Sequence, residues 1–144
     1  MTTFDNVDGV KAISGWLRTG LNKEAILFAE KFGAWLAQNQ LTTTQIRNIY
    51  GEIKRIQMRD EKDFRDAEAL LLKPKLAYAR ARSSGQKSKE ALTSLAEIMN
   101  AGIDAIFDDR NDINFGRPEK YNRFENFALF FEAVIAYHRA QGGK

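Results

Sequence analysis

One histidine and no cysteine are present for nucleophilic or soft-metal chemistry. His138 falls in the last turn of the final helical segment, where an imidazolium suits the negative helix end and a neutral ring can fill core space. The composition leaves no thiolate site, no disulfide, no thiol nucleophile and no two-histidine zinc site. Carboxylate metal sites in helical bundles need Glu-x-x-His pairs, and Glu132 and His138 stand six apart. The run Asp108-Asp109-Arg110-Asn111-Asp112-Ile113 resembles a calcium loop at first sight. Arg110, however, takes the third ligand position and Ile113 replaces the required glycine, so a solvated acidic loop is expected. Thr42-Thr43-Thr44-Gln45 is accounted for by helix capping, and no glycine-rich phosphate cradle occurs. These residues predict a chain that is no enzyme, holds no cofactor or metal, and acts by binding.

Positive charge interleaved with aromatic side chains is the remaining chemistry. The net charge is only +3, but it is unevenly distributed. Between Ala69 and Lys89 lie six basic residues (Lys73, Lys75, Arg80, Arg82, Lys87, Lys89) and no acid, whereas Glu90 to Asp112 holds six acids and one arginine. The first stretch would attract a polyanion and the second repel it. Arg47 and Lys54, seven residues apart, share a helix face beside Tyr50, with Gly51 between them leaving backbone accessible. Lys75, Tyr78 and Arg82 follow i, i+3, i+7, and Lys73 with Arg80 forms a parallel i, i+7 pair. Cations two turns apart, about 10 Å along a helix, match successive phosphates of a nucleic-acid strand. A solvated cationic face accounts for the same spacing equally well.

The elements that must position these groups are helical, because apolar residues recur at helical period and strand-type alternation is absent. Residues 23–38 place Ala25, Phe28, Ala29, Phe32, Trp35 and Leu36 on one stripe after Asn22 as N-cap. Thr42 and Gln45 form a capping box, followed by Ile46, Ile49, Tyr50, Ile53 and Ile56 to about Arg59. A third helix is expected from near Asp60 to Arg82, kinked or broken at Pro74, which lacks an amide donor and disfavours helix at Lys73. After the Ser83-Ser84-Gly85 loop, Ser88 can cap a fourth helix carrying Leu92, Leu95, Met99, Ile103 and Ile106. Pro118 and Glu119 suit the first turn of a fifth helix, which Gly142-Gly143 ends. That helix carries Phe124, Phe127, Phe131, Val134, Ile135 and His138 on one broad face and holds four of the ten phenylalanines, so it should centre the fold. The expected architecture is all-α, a compact bundle of about five helices in one domain over residues 1–144. The stretch around Ile13 to Leu17 is too short to assign, which allows residues 1–20 an irregular course. The N-terminus lacks the basic and apolar regions of a secretory signal, and no run approaches the roughly 18 apolar residues of a membrane span. A soluble chain in the cytoplasm is expected.

Three stretches carry a resemblance: TTTQIRNIYGEIKRI at 42–56, LLLKPKLAYARAR at 70–82 and FENFALFFEAVIAYHRAQGGK at 124–144. In this order they resemble the small helical subunit of type III-A CRISPR effector complexes, the Csm family, over about residues 40–144. The more distinctive parts are the Leu-Ala-Tyr after Lys-Pro-Lys and the closing Glu-Ala-x-Ile-Ala-Tyr-His. The resemblance implies a non-catalytic subunit that stacks in several copies along a ribonucleoprotein filament. Its partners would be the other effector subunits, copies of itself, and the guide RNA/target RNA duplex, chiefly the target-strand backbone. Carried onto this chain, RNA contact would fall to Arg47, Lys54 and Arg55 on the second helix and to Lys75, Tyr78, Arg80 and Arg82 on the third. Base pairing would supply sequence information in such a complex, leaving shape and charge to the protein.

Two rival readings remain at the level of sequence. Residues 23–38, a short turn and the capped helix bearing Arg47, Asn48, Lys54 and Arg55 could form a helix-turn-helix of a DNA-binding regulator. A structural adaptor whose basic face meets an acidic protein is the other.

Overall fold

The structure, a computed structural model, describes residues 6–110 and 115–143. Among these there are seven α-helices, one 3-10 turn and no strand. The α-helices are α1 (Val7–Thr19), α2 (Lys23–Gln38), α3 (Thr43–Gln57), α4 (Asp66–Leu70), α5 (Leu72–Arg82), α6 (Gln86–Ile106) and α7 (Arg117–Ala140). Helix α4 is little more than one turn, so six longer helices build the bundle.

Local chemistry sets the helix ends. Asn22 accepts from the Ala25 amide at 2.9 Å. Thr42 and Gln45 exchange both bonds of a capping box, at 3.1 Å and 2.9 Å. Glu119 accepts from the Gly116 amide at 2.7 Å, with Pro118 in the first turn, where a missing N–H costs nothing. Helix α7 closes in a Schellman arrangement: Gly142 has φ 87°, its amide bonds Arg139 O, and the Gly143 amide bonds His138 O.

Helix α7 is the hub, with α1, α2, α3 and α6 packed on it and α5 bridging α3 and α6. Phe124, Phe127, Phe130, Phe131 and Val134 are all buried along it. An aromatic chain runs from Phe64 through Phe124, Phe127, Phe131 and Phe130 to Trp16, with centroid separations of 5.0–5.7 Å. Gly33 lets α2 approach closely, since a Cβ there would lie 2.6 Å from Val134 O. His138 is fully buried and its Nε2 donates to Leu41 O at 2.6 Å, tying the end of α7 to the α2–α3 turn.

Four sequence expectations are corrected. Residues 7–19 are helical, with Ile13, Trp16 and Leu17 buried. The third helix starts at Asp66 and not near Asp60, because Phe64 and Arg65 are extended and drop Phe64 into the core beside Tyr121 and Phe124. Its interruption lies at Leu71, one residue past Leu70, whose carbonyl Pro74 cannot serve; Pro74 itself sits in the first turn of α5. Ser88 is not a cap: Gly85 precedes α6, and the buried Ser88 hydroxyl bonds Gln45 across to α3. The acidic loop of residues 108–113 lies partly outside the described residues.

Candidate nucleic-acid interface

Helices α3, α5 and α6 enclose an open cleft of about 300 Å³. A helix advances about 100° per residue, which puts Gln45, Asn48 and Glu52 of α3 on the side facing α5. The same rule turns Lys75, Tyr78, Ala79 and Arg82 of α5 toward α3, while Leu72 and Leu76 point to the core. Leu72, Leu76, Leu92 and Met99, all buried, form an apolar floor with Ile49. Tyr78 is 64% exposed at the rim, and the Arg82 guanidinium lies 5.4 Å from its ring centroid.

Carboxylates from other helices decide how much of the positive charge is available. Glu52 pairs with Lys75 and, at 3.2 Å, with Arg55. The Lys75 ammonium first, and the Arg55 guanidinium next, hold the Glu52 carboxyl below the usual glutamate range. Arg55 also meets Glu68 at 3.1 Å, which shares itself with Arg59 at 3.2 Å, so Arg55 sits within an ion network. Lys73 pairs with Asp104 of α6. Among the described residues Arg82 has no carboxylate partner; its contact is the Tyr78 ring.

Of the seven residues singled out by sequence, the fold brings Lys75, Tyr78 and Arg82 together on the cleft. Arg80 lies on the other flank of α5, near Thr93 of α6 at 3.5 Å. Arg47 and Lys54 are exposed on the side of α3 turned away from the cleft, and neither has an ion-pair partner among the described residues. Between them Tyr50 donates to Glu132 at 3.1 Å; burial, then that bond, pushes its phenol up to about 12. Sequence reasoning missed Gln45, Ser83 and Asn48 as cleft-lining polar groups, since their alignment depends on α5 and α6 packing beside α3. It also missed a second cationic hollow of about 400 Å³ where Lys11 and Arg18 of α1 meet Arg110 and Arg123. Lys11 and Arg18 repeat the i, i+7 spacing of Arg47 and Lys54, so the same signal would have found them once α1 was assigned.

Among the described residues no three His, Asp or Glu side chains group to hold a metal ion, and no helix is long and apolar enough to cross a membrane. Helices α2 and α3 each pack on α7 and not along one another, which removes the paired helices of a helix-turn-helix.

The fold and site thus define a helical bundle with a cationic, aromatic-rimmed cleft, a class suited to binding. Residues 22–144 match the protein family described as Csm2 Type III-A, a span beginning earlier than the resemblance read from the three stretches. The chain belongs to that family, the small subunit of type III-A CRISPR Csm complexes, and its partners include the other subunits of such a complex. Neither a curated protein nor a solved structure matches it.

Proposed function

We propose that this chain is the non-catalytic, RNA-binding small subunit of a cytoplasmic type III-A CRISPR ribonucleoprotein, stacked in several copies along its filament in antiviral defence. It holds the target strand, paired with guide RNA, by its backbone. The observation that carries this reading is the convergence of Lys75, Tyr78 and Arg82 on one cleft of a chain belonging to this family. Arg82 is the strongest contact, having no carboxylate among the described residues to compete with a phosphate. Arg47 and Lys54 form a second, separate row of cations on the far side of α3, with Arg80 and the network-bound Arg55 at the margins. Contacts of this kind position a strand without reading it, and repetition along a filament multiplies a weak surface.

The test is target-RNA affinity of assembled complexes carrying Lys75→Ala, Arg80→Ala and Arg82→Ala together, measured across a salt series. Each lost phosphate contact on a single strand removes about 0.7 from the slope of log K against log salt. The loss should be uniform across matched target sequences. An unchanged slope in complexes that still assemble would mean a solvated face. Failure to assemble would place these residues at a protein contact instead, as the adaptor reading requires.

A further inference from the structure

Phosphate contact leaves the floor of the cleft unexplained. A phosphodiester needs cations at a wetted surface, and Lys75 and Arg82 at the rim already supply them. Beneath them lies a hollow of about 300 Å³, floored by Ile49, Leu72, Leu76, Leu92 and Met99. This is the size at which small-molecule sites begin, about 300 Å³, with an apolar floor below walls that carry polar groups, Gln45 and Glu52 among them. The polar groups are those of base recognition. The Asn48 amide is exposed on the cleft wall, with a donor and an acceptor on one planar group and no side-chain hydrogen-bond partner among the described residues. The Ser83 hydroxyl lines the opposite side. At the rim the Tyr78 ring stands largely open, with the Arg82 guanidinium 5.4 Å from its centroid. An open aromatic ring beside cations is the arrangement on which single-stranded bases stack.

We propose that the α3–α5–α6 cleft is a nucleobase pocket that takes one unstacked base of the bound RNA, its flanking phosphates held by Arg82 and Lys75. The inference rests on the RNA-binding reading and adds a base to the backbone contacts. Apolar floor and ring face accept any base, so the pocket would raise affinity without specifying sequence.

The test uses the full chain at high concentration and two probes of equal length and charge: oligoadenylate, and an abasic ribose-phosphate oligomer. Binding is followed across a salt series, with methyl signals of Ile49, Leu76, Leu92 and Met99 read by NMR. Oligoadenylate should bind about tenfold tighter than the abasic oligomer, and it alone should shift those methyls. Ala79→Trp, which fills the cleft while keeping every cation, should abolish that difference and leave the salt slope unchanged. The double variant Asn48→Ala, Tyr78→Ala, which adds no bulk, should reduce the same difference and decides the matter if Ala79→Trp does not fold. Equal binding of both probes with a normal salt slope would overturn the pocket and leave the backbone reading standing. Shifts at these methyls from an apolar peptide, and none from oligoadenylate, would overturn it in favour of a protein ligand. No salt-dependent binding of either oligomer, by the chain or by assembled complexes, would remove the RNA reading, and the pocket with it.

Discussion

The two cationic hollows of this bundle deploy similar charge in different ways. At the α3–α5–α6 cleft the cations ring an apolar floor, and among the described residues one carboxylate, Glu52, offsets Lys75 while none pairs with Arg82. In the hollow beside α1, half of the four cations are already engaged by neighbouring oxygens. Arg110 wraps the Asp108 carboxylate at 2.8–3.0 Å and, as the leading influence, holds it well below the usual range. Arg123 is buried and donates to Ala105 O and Asp108 O at 2.9 Å and 2.6 Å, closing the C-terminal end of α6, with the Phe115 ring 4.7 Å away. The lesson is that available charge follows from the carboxylates and carbonyls that other helices bring up, not from a count of cations.

The most drastic way to break this comparison is to damage what both hollows share. Phe127 packs against α6 at Gly102, where an added Cβ would come within 2.7 Å of its ring, and α6 carries one wall of the cleft and the Ala105 carbonyl that Arg123 caps. Phe127→Ala should cost about 3–5 kcal/mol in denaturant melts; a loss below about 1 kcal/mol would show that α7 is not the hub. Arg123→Ala should come next, at about 3 kcal/mol, because two charge-assisted bonds to backbone carbonyls, one of them buried, are lost. The RNA affinity of the folded fraction should hold. A variant that melts like the parent but loses RNA would reverse the roles assigned to the two hollows.

How much of this was legible in the sequence depended on how local the cause was. The capping box of Thr42 and Gln45 and the phenylalanine face of α7 are written within one turn or one helix, and both appear in the fold. Helix α1 was hidden because its buried stripe begins at Gly9, a position where a Cβ would overlap the Phe28 ring and Ile98. A stripe that needs an absent side chain has no hydrophobic signal there. The interruption falls at Leu71, three residues before Pro74, since a proline's effect falls on the carbonyl one turn before it. The site followed the same rule. The Lys75, Tyr78, Arg82 row is local helix geometry, whereas Glu52, Glu68 and Asp104 reach their cations from other helices and were invisible to spacing.

A smaller effect sharpens the contrast at the cleft itself. Glu52→Gln should release Lys75, leaving Arg55 with Glu68, and so steepen the salt dependence of RNA binding by about 0.7 for the freed cation. Stability should change by less than about 1 kcal/mol, as for other exposed pairs. The pH dependence has a definite sign. A carboxyl lowered in the folded chain contributes stability above the ordinary glutamate pKa of about 4.3, and that contribution fades as pH falls through the folded value. Acid melts of the parent should therefore show a component in that window that the glutamine variant lacks. Binding that weakens in Glu52→Gln would mean that the carboxylate positions Lys75 for phosphate and does not compete with it.

The smallest expected effect on stability separates the two sides of α3. Arg47 and Lys54 face away from the cleft, exposed and without ion-pair partners among the described residues. Their double alanine variant should melt within about 0.5 kcal/mol of the parent, the usual range for surface positions free of special contacts. In assembled complexes it should nonetheless flatten the salt slope, by about 0.7 for each of the two that meets a phosphate of the target strand. Because α3 itself stands between this pair and the cleft, the loss should add to that of Arg82→Ala with no coupling, as expected for sites that share no partner. Additive losses would mean that the RNA passes both sides of α3. A flat slope change for Arg47 and Lys54, with a clear one for Arg82, would confine the strand to the cleft and leave the far row as a solvated face.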